Sequence, residues 1–194
     1  MKAFAELFTI IDQTTSINEK VEALAEYFLK ADEADAIWCV ALLTGNRPKR
    51  AVRSGEMRDW CAEVSGTPRW LLEESYHVVG DLGETITLLI PEGQPHVSYK
   101  LHELMDALIA LQNADEATRK HFVTTKWNEL TGQELFIFNK LIGGSFRVGV
   151  SAKVVIKALA KAFDIDENRV AHSLSGSWDP AEITLHQLLH ETSI

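Results

Sequence analysis

Apolar residues recur at helical spacing along nearly the whole of this chain. Phe4, Leu7, Phe8 and Ile11 follow the i, i+3, i+4, i+7 pattern, which gives a helix one apolar face. Capping residues and glycines separate successive stretches of this kind. The pattern predicts an all-α fold of about a dozen helices.

Three segments give sharper expectations for individual helices. The short apolar run from Ile86 to Ile90 is the one candidate for a strand, because a short apolar run has no helical signature of its own. Thr67-Pro68 has the form of an N-cap followed by a proline in the first turn. Asp179-Pro180 predicts the start of the last helix.

The size of the chain fits one domain. It has 194 residues, 46% of them hydrophobic, which is enough for a proper core. The absence of an internal repeat, a low-complexity segment or a linker predicts a single compact domain over residues 1–194. No apolar run approaches the roughly 20 residues needed to cross a bilayer, so no membrane partner is expected. Cys39 and Cys61 lie in apolar helical patterns without a CxxC spacing, which favours buried free thiols in a reducing cytoplasm.

The charged residues are unevenly distributed. A net charge of −9 by itself argues against a nucleic-acid partner. Two windows, residues 36–55 and 135–163, nevertheless contain no acidic residue. They hold nine of the 19 basic residues, namely Arg47, Lys49, Arg50, Arg53, Lys140, Arg147, Lys153, Lys157 and Lys161. The rest of the chain has ten basic and 28 acidic residues. If the two windows share a face, that face is basic and the remaining surface is acidic.

The second window contains a glycine-rich turn and a basic helix. The turn is Gly143-Gly144-Ser145-Phe146-Arg147-Val148-Gly149-Val150-Ser151. Glycines let a backbone approach a ligand closely, and a serine at a helix start leaves amide donors pointing outward. Lys153, Lys157 and Lys161 follow at four-residue spacing and therefore lie on one helical face. Together these features predict a site for a polyanion, and the alternative is a merely solvated helix face.

The sequence contains no recognisable catalytic motif. His186 and His190 have an i, i+4 spacing that can hold zinc, but no third ligand is evident, so no metal site is expected. There is no Gly-x-x-x-x-Gly-Lys-Ser/Thr loop, and no Ser or Cys lies in a nucleophile motif. We therefore expect no catalytic residue and no bound cofactor in this chain.

Four segments resemble a known family. The run 140–160, KLIGGSFRVGVSAKVVIKALA, is similar to the signature near the end of the N-terminal DNA-binding domain of ATP-dependent DNA ligases. Phe146 stands where that family commonly has Leu, while Arg147 and both signature glycines are kept. Segments 38–50 (WCVALLTGNRPKR), 68–76 (PRWLLEESY) and 79–85 (VGDLGET) resemble the bacterial branch in the same order.

The resemblance implies an all-helical domain that holds nicked double-stranded DNA through the minor groove on either side of the nick. Contacts would be mainly to the sugar–phosphate backbone, without sequence preference. The expected DNA-binding residues are Gly144, Ser145, Arg147, Gly149, Ser151, Lys153, Arg47, Lys49 and Arg50.

The chemistry of such a ligase would reside elsewhere. The family's catalytic lysine lies in a Lys-x-Asp-Gly motif of a following nucleotidyltransferase domain, and this sequence has no such motif. The resemblance implies downstream nucleotidyltransferase and OB domains as partners, and ATP and Mg²⁺ as cofactors of the full-length enzyme. The present chain alone should be inactive.

Two other interpretations remain. The first is a non-catalytic all-α protein-interaction scaffold whose basic faces are only solvated. The second is a helix-turn-helix regulator, although the lysine stripe suits phosphates better than base edges.

Overall fold

The structure is a computed structural model that describes residues 1–94, 97–144, 146 and 149–191. These residues form twelve α-helices and no strand. The helices are α1 Lys2–Gln13, α2 Ile17–Lys30, α3 Glu33–Leu43, α4 Ser54–Ser65, α5 Arg69–Val79, α6 Leu82–Leu89, α7 Leu101–Leu111, α8 Glu116–Glu129, α9 Gly132–Ile142, α10 Ala152–Phe163, α11 Glu167–Ser175 and α12 Leu185–His190. The prediction of an all-α fold of about a dozen helices is confirmed.

Six helices have a side-chain cap at their N-terminus among the described residues. In each, an oxygen of the N-cap side chain accepts a hydrogen bond from a backbone N–H in the first turn. Such a cap contributes about 1 kcal/mol of stability. The capping residues are Ser16, Asp81, Asp115, Ser151, Asp166 and Thr184.

The strand candidate is part of a helix. Residues Ile86–Leu89 belong to α6, and Ile90 is its C-cap. Asp81 begins α6 by accepting a hydrogen bond of 2.8 Å from the N–H of Glu84, and Ile86 is fully buried. Because a short buried helix and a buried strand both appear as a brief apolar run, periodicity could not separate them.

Two helix starts differ from expectation. The last helix begins at Leu185 rather than at Asp179-Pro180, because Thr184 and Gln187 form a reciprocal capping box. Asp179 instead forms a turn, in which its carboxylate accepts a 2.8 Å hydrogen bond from the N–H of Ala181. Helix α5 begins at Arg69, since Pro68 has the extended ψ of 142° that belongs to an N-cap.

The chain divides into two compact units. The first unit contains Met1–Arg47, Lys100–Met105 and Arg147–Ile194, and the second contains Pro48–Tyr99 and Asp106–Phe146. That the chain behaves as a single domain stays a prediction, which a thermal unfolding curve with one cooperative transition would support.

In the first unit, α2 packs against α10 and α1, while α12 contacts α3 and α11. Helix α3 is buried along residues 36–42, including Trp38 and Cys39. Helix α10 turns Val155, Ala158 and Leu159 into the core. Its opposite side is thereby left for polar residues.

In the second unit, α6 packs against α9, and α4 contacts α5, α6 and α8. Its centre contains a satisfied polar relay. The buried indole of Trp127 donates a 2.6 Å hydrogen bond to Asn139 Oδ1, and Asn139 Nδ2 donates a 3.0 Å hydrogen bond to Thr87 Oγ1. Because buried polar groups cost free energy unless they are paired, this relay fixes how α6, α8 and α9 meet.

Both cysteines are buried free thiols. Burial raises the pKa of the Cys61 thiol to about 11 and that of Cys39 further, so neither is a reactive thiolate near neutral pH. Within the part of the chain that the structure describes, no helix has the length and apolar character to cross a bilayer.

Candidate nucleic-acid interface

The first acid-free window includes a loop whose backbone is held in place in the second unit. Gln112 Nε2 donates a 2.8 Å hydrogen bond to the carbonyl of Lys49. Arg119 Nη1 lies 3.4 Å from the carbonyl of Ala51, and the Val52 side chain is fully buried. The loop is therefore held by Gln112, which follows α7, and by Arg119 of α8.

Glu56 anchors the end of this loop. Its Oε1 accepts a 3.1 Å hydrogen bond from the N–H of Arg53 and a 2.6 Å hydrogen bond from Arg119 Nη1. Burial opposes the charged form of the Glu56 carboxyl, but these hydrogen bonds and the nearby guanidinium charges outweigh burial and lower its pKa. The carboxylate thus stays ionised and keeps both the helix start and Arg119 in place.

The side chains of the loop are open to solvent. Lys49, Arg50 and Arg53 are all exposed. None of the three takes part in an ion pair among the described residues. Arg47, which belongs to the first unit, is also exposed. A fixed backbone with cationic side chains in solvent is suited to binding a polyanion, because little backbone entropy remains to be lost.

Gly144 follows the end of α9 and lies beside this loop within the second unit. It has the left-handed φ of 67°, which favours glycine, and its N–H lies 3.4 Å from the carbonyl of Leu141. A Cβ on Gly144 would be 3.6 Å from Cδ and 3.7 Å from Cβ of Arg50. The structure therefore brings together one residue from each acid-free window.

Gly143 has a packing role. A Cβ there would lie 3.2 Å from the carbonyl oxygen of Asn139 and 3.5 Å from Sδ of Met57. Phe146, at the position where the family commonly has Leu, is 3% exposed and fills the core. The predicted contact residues Ser145 and Arg147 lie outside the described residues.

The N-terminus of α10 has the expected start. Ser151 is its N-cap, with Oγ accepting a 3.4 Å hydrogen bond from the N–H of Val154. The first turn contains no acidic residue. Gly149, Ser151 and Lys153 are exposed, so the predicted residues of this end that the structure describes are accessible to a ligand.

The lysines of the second window differ in their surroundings. Lys153 is exposed and Lys157 half-buried, and neither forms an ion pair with a residue the structure describes. Lys161 pairs with Glu22 of α2. Lys140 is only 8% exposed, and its Nζ lies 2.5 Å from Oδ2 of Asp81. Lys153, Lys157 and Lys161 have a regular four-residue spacing, but their different surroundings mean that they are not three equivalent phosphate ligands.

Lys20 is a residue that sequence reasoning missed. It lies on α2, outside both acid-free windows, between Glu19 and Glu22. Its Nζ donates a 2.6 Å hydrogen bond to the carbonyl oxygen of Gly149, 129 residues further along the chain. No local pattern could have indicated this contact, because it depends on how α2 packs against α10.

The histidine pair on α12 forms a ring contact. The rings of His186 and His190 are exposed, and their centroids are 4.5 Å apart. Among the residues described, no group of three or more His, Cys, Asp or Glu side chains is arranged to hold a metal ion.

Comparison with known proteins agrees with the helical architecture. The family described as DNA ligase N terminus matches residues 1–160. A DNA ligase of the archaeon Nitrosopumilus maritimus (strain SCM1) is 25% identical over 203 residues, which cover 92% of this chain and 33% of that protein. The chain thus spans about a third of the length of this relative. Because the family match extends over most of its residues, this chain belongs to the DNA ligase N-terminal family.

Proposed function

We propose that this chain is the DNA-binding domain of an ATP-dependent DNA ligase. It would hold nicked double-stranded DNA by the sugar–phosphate backbone while downstream catalytic domains seal the nick. The observation that carries this proposal is a set of cations without an ion pair among the described residues, on a chain whose net charge is −9. These are Lys49, Arg50, Arg53, Lys153 and Lys157.

The types of these residues favour phosphate contact over base reading. Lysine ammonium groups and arginine guanidinium groups neutralise phosphates, and such contacts position a protein on DNA without carrying sequence information. The exposed backbone at Gly149 and the start of α10 at Ser151 add amide donors of the kind that bind phosphate oxygens. A sequence-independent grip suits an enzyme that must act at any nick.

The two units contribute different basic surfaces. In the second unit the surface consists of the exposed side chains of Lys49, Arg50 and Arg53, of which Arg50 lies beside Gly144. In the first unit it consists of Lys153 and Lys157 on α10, preceded by Gly149 and Ser151. We propose that each surface contacts the phosphate backbone, and that Arg47, Ser145 and Arg147 take part as the family resemblance implies.

The proposed full-length enzyme would supply the chemistry in the cytoplasm. Nucleotidyltransferase and OB domains would follow this chain and use ATP and Mg²⁺. Adenylate would pass to the 5′-phosphate of the nick, and the 3′-hydroxyl would then displace AMP. The likeness of segments 38–50, 68–76 and 79–85 supports a place in the bacterial branch of the family.

Binding of a fluorescein-labelled nicked duplex by this chain, followed by fluorescence anisotropy at low salt, tests the proposal. We expect saturable binding that an unlabelled duplex of unrelated sequence competes away. An absence of binding, or competition only by one sequence, would contradict it.

A groove between α5 and α6 favours a second function, that of a protein-interaction surface. The groove measures about 400 Å³ and is lined mainly by aliphatic side chains. Leu71, Val78 and Leu88 there are 40%, 83% and 69% exposed. Clustered exposed aliphatic groups are typical of surfaces that another protein covers. If so, Val78→Asp should weaken association with a partner domain, whereas Leu29→Asp, at an exposed leucine on α2, should not.

A further inference from the structure

Lys20 places an ammonium group at the turn that precedes α10. Its Nζ lies 2.6 Å from the carbonyl oxygen of Gly149. A Cβ on Gly149 would be 3.6 Å from that nitrogen, so a side chain at this position would contact the ammonium directly. The glycine leaves the charge accessible at one end of the basic surface of the first unit.

The acidic neighbours of Lys20 on α2 have other partners. The Glu19 carboxylate accepts a hydrogen bond from the Thr14 hydroxyl, and Glu22 pairs with Lys161. Lys20 itself forms no ion pair with a described residue. An ammonium has three N–H donors, of which the Gly149 carbonyl takes one. Two donors and the full positive charge therefore remain for an anion.

The hydrogen bond also sets the orientation of a peptide group. In a trans peptide the N–H points opposite to the carbonyl, so fixing the Gly149 carbonyl fixes the N–H of Val150. That N–H donates to no backbone acceptor among the described residues. Lys20 therefore adds a positive charge to the turn, and it also orients the N–H of Val150 so that this donor points away from the ammonium group.

From these contacts we infer that Lys20 is a further phosphate-contacting residue of the DNA-binding surface formed by Gly149, Ser151 and Lys153. The inference rests on the proposed function. It assigns a DNA-contacting role to α2, which lies far from α10 in the sequence. Lys20 is not part of a basic cluster in the sequence, so the pattern of charges did not indicate it.

Two substitutions of Lys20 and one control test this role. Lys20→Ala removes the charge, and Lys20→Arg keeps it. Lys30→Ala is the control. It removes an exposed lysine of the same helix that pairs with Glu26 and lies ten residues after Lys20. Each variant is titrated with the same nicked duplex across a salt series, and its thermal melting is recorded.

We expect Lys20→Ala to bind several-fold more weakly at low salt, with the slope of log K against log salt smaller in magnitude by about one. Lys20→Arg should restore most of the affinity, and Lys30→Ala should match the unmodified chain. An unchanged salt slope in Lys20→Ala, whatever its affinity, would overturn the inference, because a purely structural role changes stability and not the number of phosphates contacted. If the unmodified chain does not bind DNA, the proposed function fails as well.

Discussion

The aliphatic part of Arg50 lies along the open side of Gly144, with Cδ 3.6 Å from where a Cβ on that glycine would be. The two residues are 94 positions apart in the sequence and come from different acid-free windows. This packing holds the Arg50 side chain next to the C-terminus of α9. It also gives the glycine two roles, as a helix terminator and as a surface for Arg50.

Gly144→Ala should lower the free energy of unfolding by about 1–2 kcal/mol, because the left-handed conformation at φ 67° is unfavourable by that amount for an L-residue. Urea unfolding measures the change. Gly176→Ala is the matched control, since Gly176 has φ −78° and a Cβ added there would have no atom within 4 Å. Equal stability of the two variants would mean that the strain at Gly144 is absent in solution.

Arg50→Ala should weaken binding of nicked duplex and leave stability unchanged, because its guanidinium is exposed and forms no ion pair with a described residue. Arg169→Ala provides the control at an exposed arginine of α11 outside both windows. Anisotropy and thermal melting of both variants separate binding from folding. Equal affinities for the two variants would remove Arg50 from the interface.

Stability should depend on pH through Glu56, whose pKa is lowered because its hydrogen bonds outweigh the effect of burial. A carboxyl with a lower pKa in the folded state stabilises the fold above its unfolded pKa and loses that contribution as the pH falls through the folded value. Since unfolded Glu titrates at about pH 4.3, the loss should begin there and continue at lower pH.

The test compares Glu56→Gln with the unmodified chain by urea unfolding from neutral pH down to below the pKa of unfolded Glu, about 4.3. The variant should be less stable at neutral pH, and the difference should shrink as the pH falls. Glu74→Gln, at an exposed carboxylate without an ion pair among the described residues, should show little difference at any pH. A pH-independent difference for Glu56→Gln would exclude the ionic role.

Incubated with ATP and Mg²⁺, this chain alone should form no covalent AMP adduct. A nucleotidyl-transferring lysine needs a neighbouring carboxylate and a nucleotide pocket, and the sequence has no Lys-x-Asp-Gly motif. Radiolabelled ATP followed by a denaturing gel measures the adduct. A labelled band at 21.7 kDa would contradict the assignment of the chemistry to downstream domains.

Sequence patterns predicted the local parts of this fold. The periodicity and the capping serine predicted α10 and its start at Ser151, because both signals lie within a few residues. The apolar run at Ile86 could not be assigned to a helix from sequence, because a short buried helix and a buried strand share the same brief apolar pattern.

The state of each basic residue depends on tertiary contacts. Lys153 and Lys161 have equivalent spacing on α10, yet only Lys161 meets Glu22 of α2. Lys140 is largely buried and forms an ion pair with Asp81, while Lys20 of α2 donates a hydrogen bond to the Gly149 carbonyl. Composition and spacing could therefore indicate a basic surface but could not say which cations remain available to DNA. The role of Arg147 stays a prediction.

The salt dependence of DNA binding tests the central claim most directly. The measurement is fluorescence anisotropy of the chain with a nicked duplex over a series of salt concentrations, repeated with a second nicked duplex of unrelated sequence. With about four to six cations on phosphates, log K should fall against log salt with a slope of about −4 to −5, equally for both duplexes. A flat salt response, or no binding even at low salt, would contradict the proposal that this domain grips the DNA backbone.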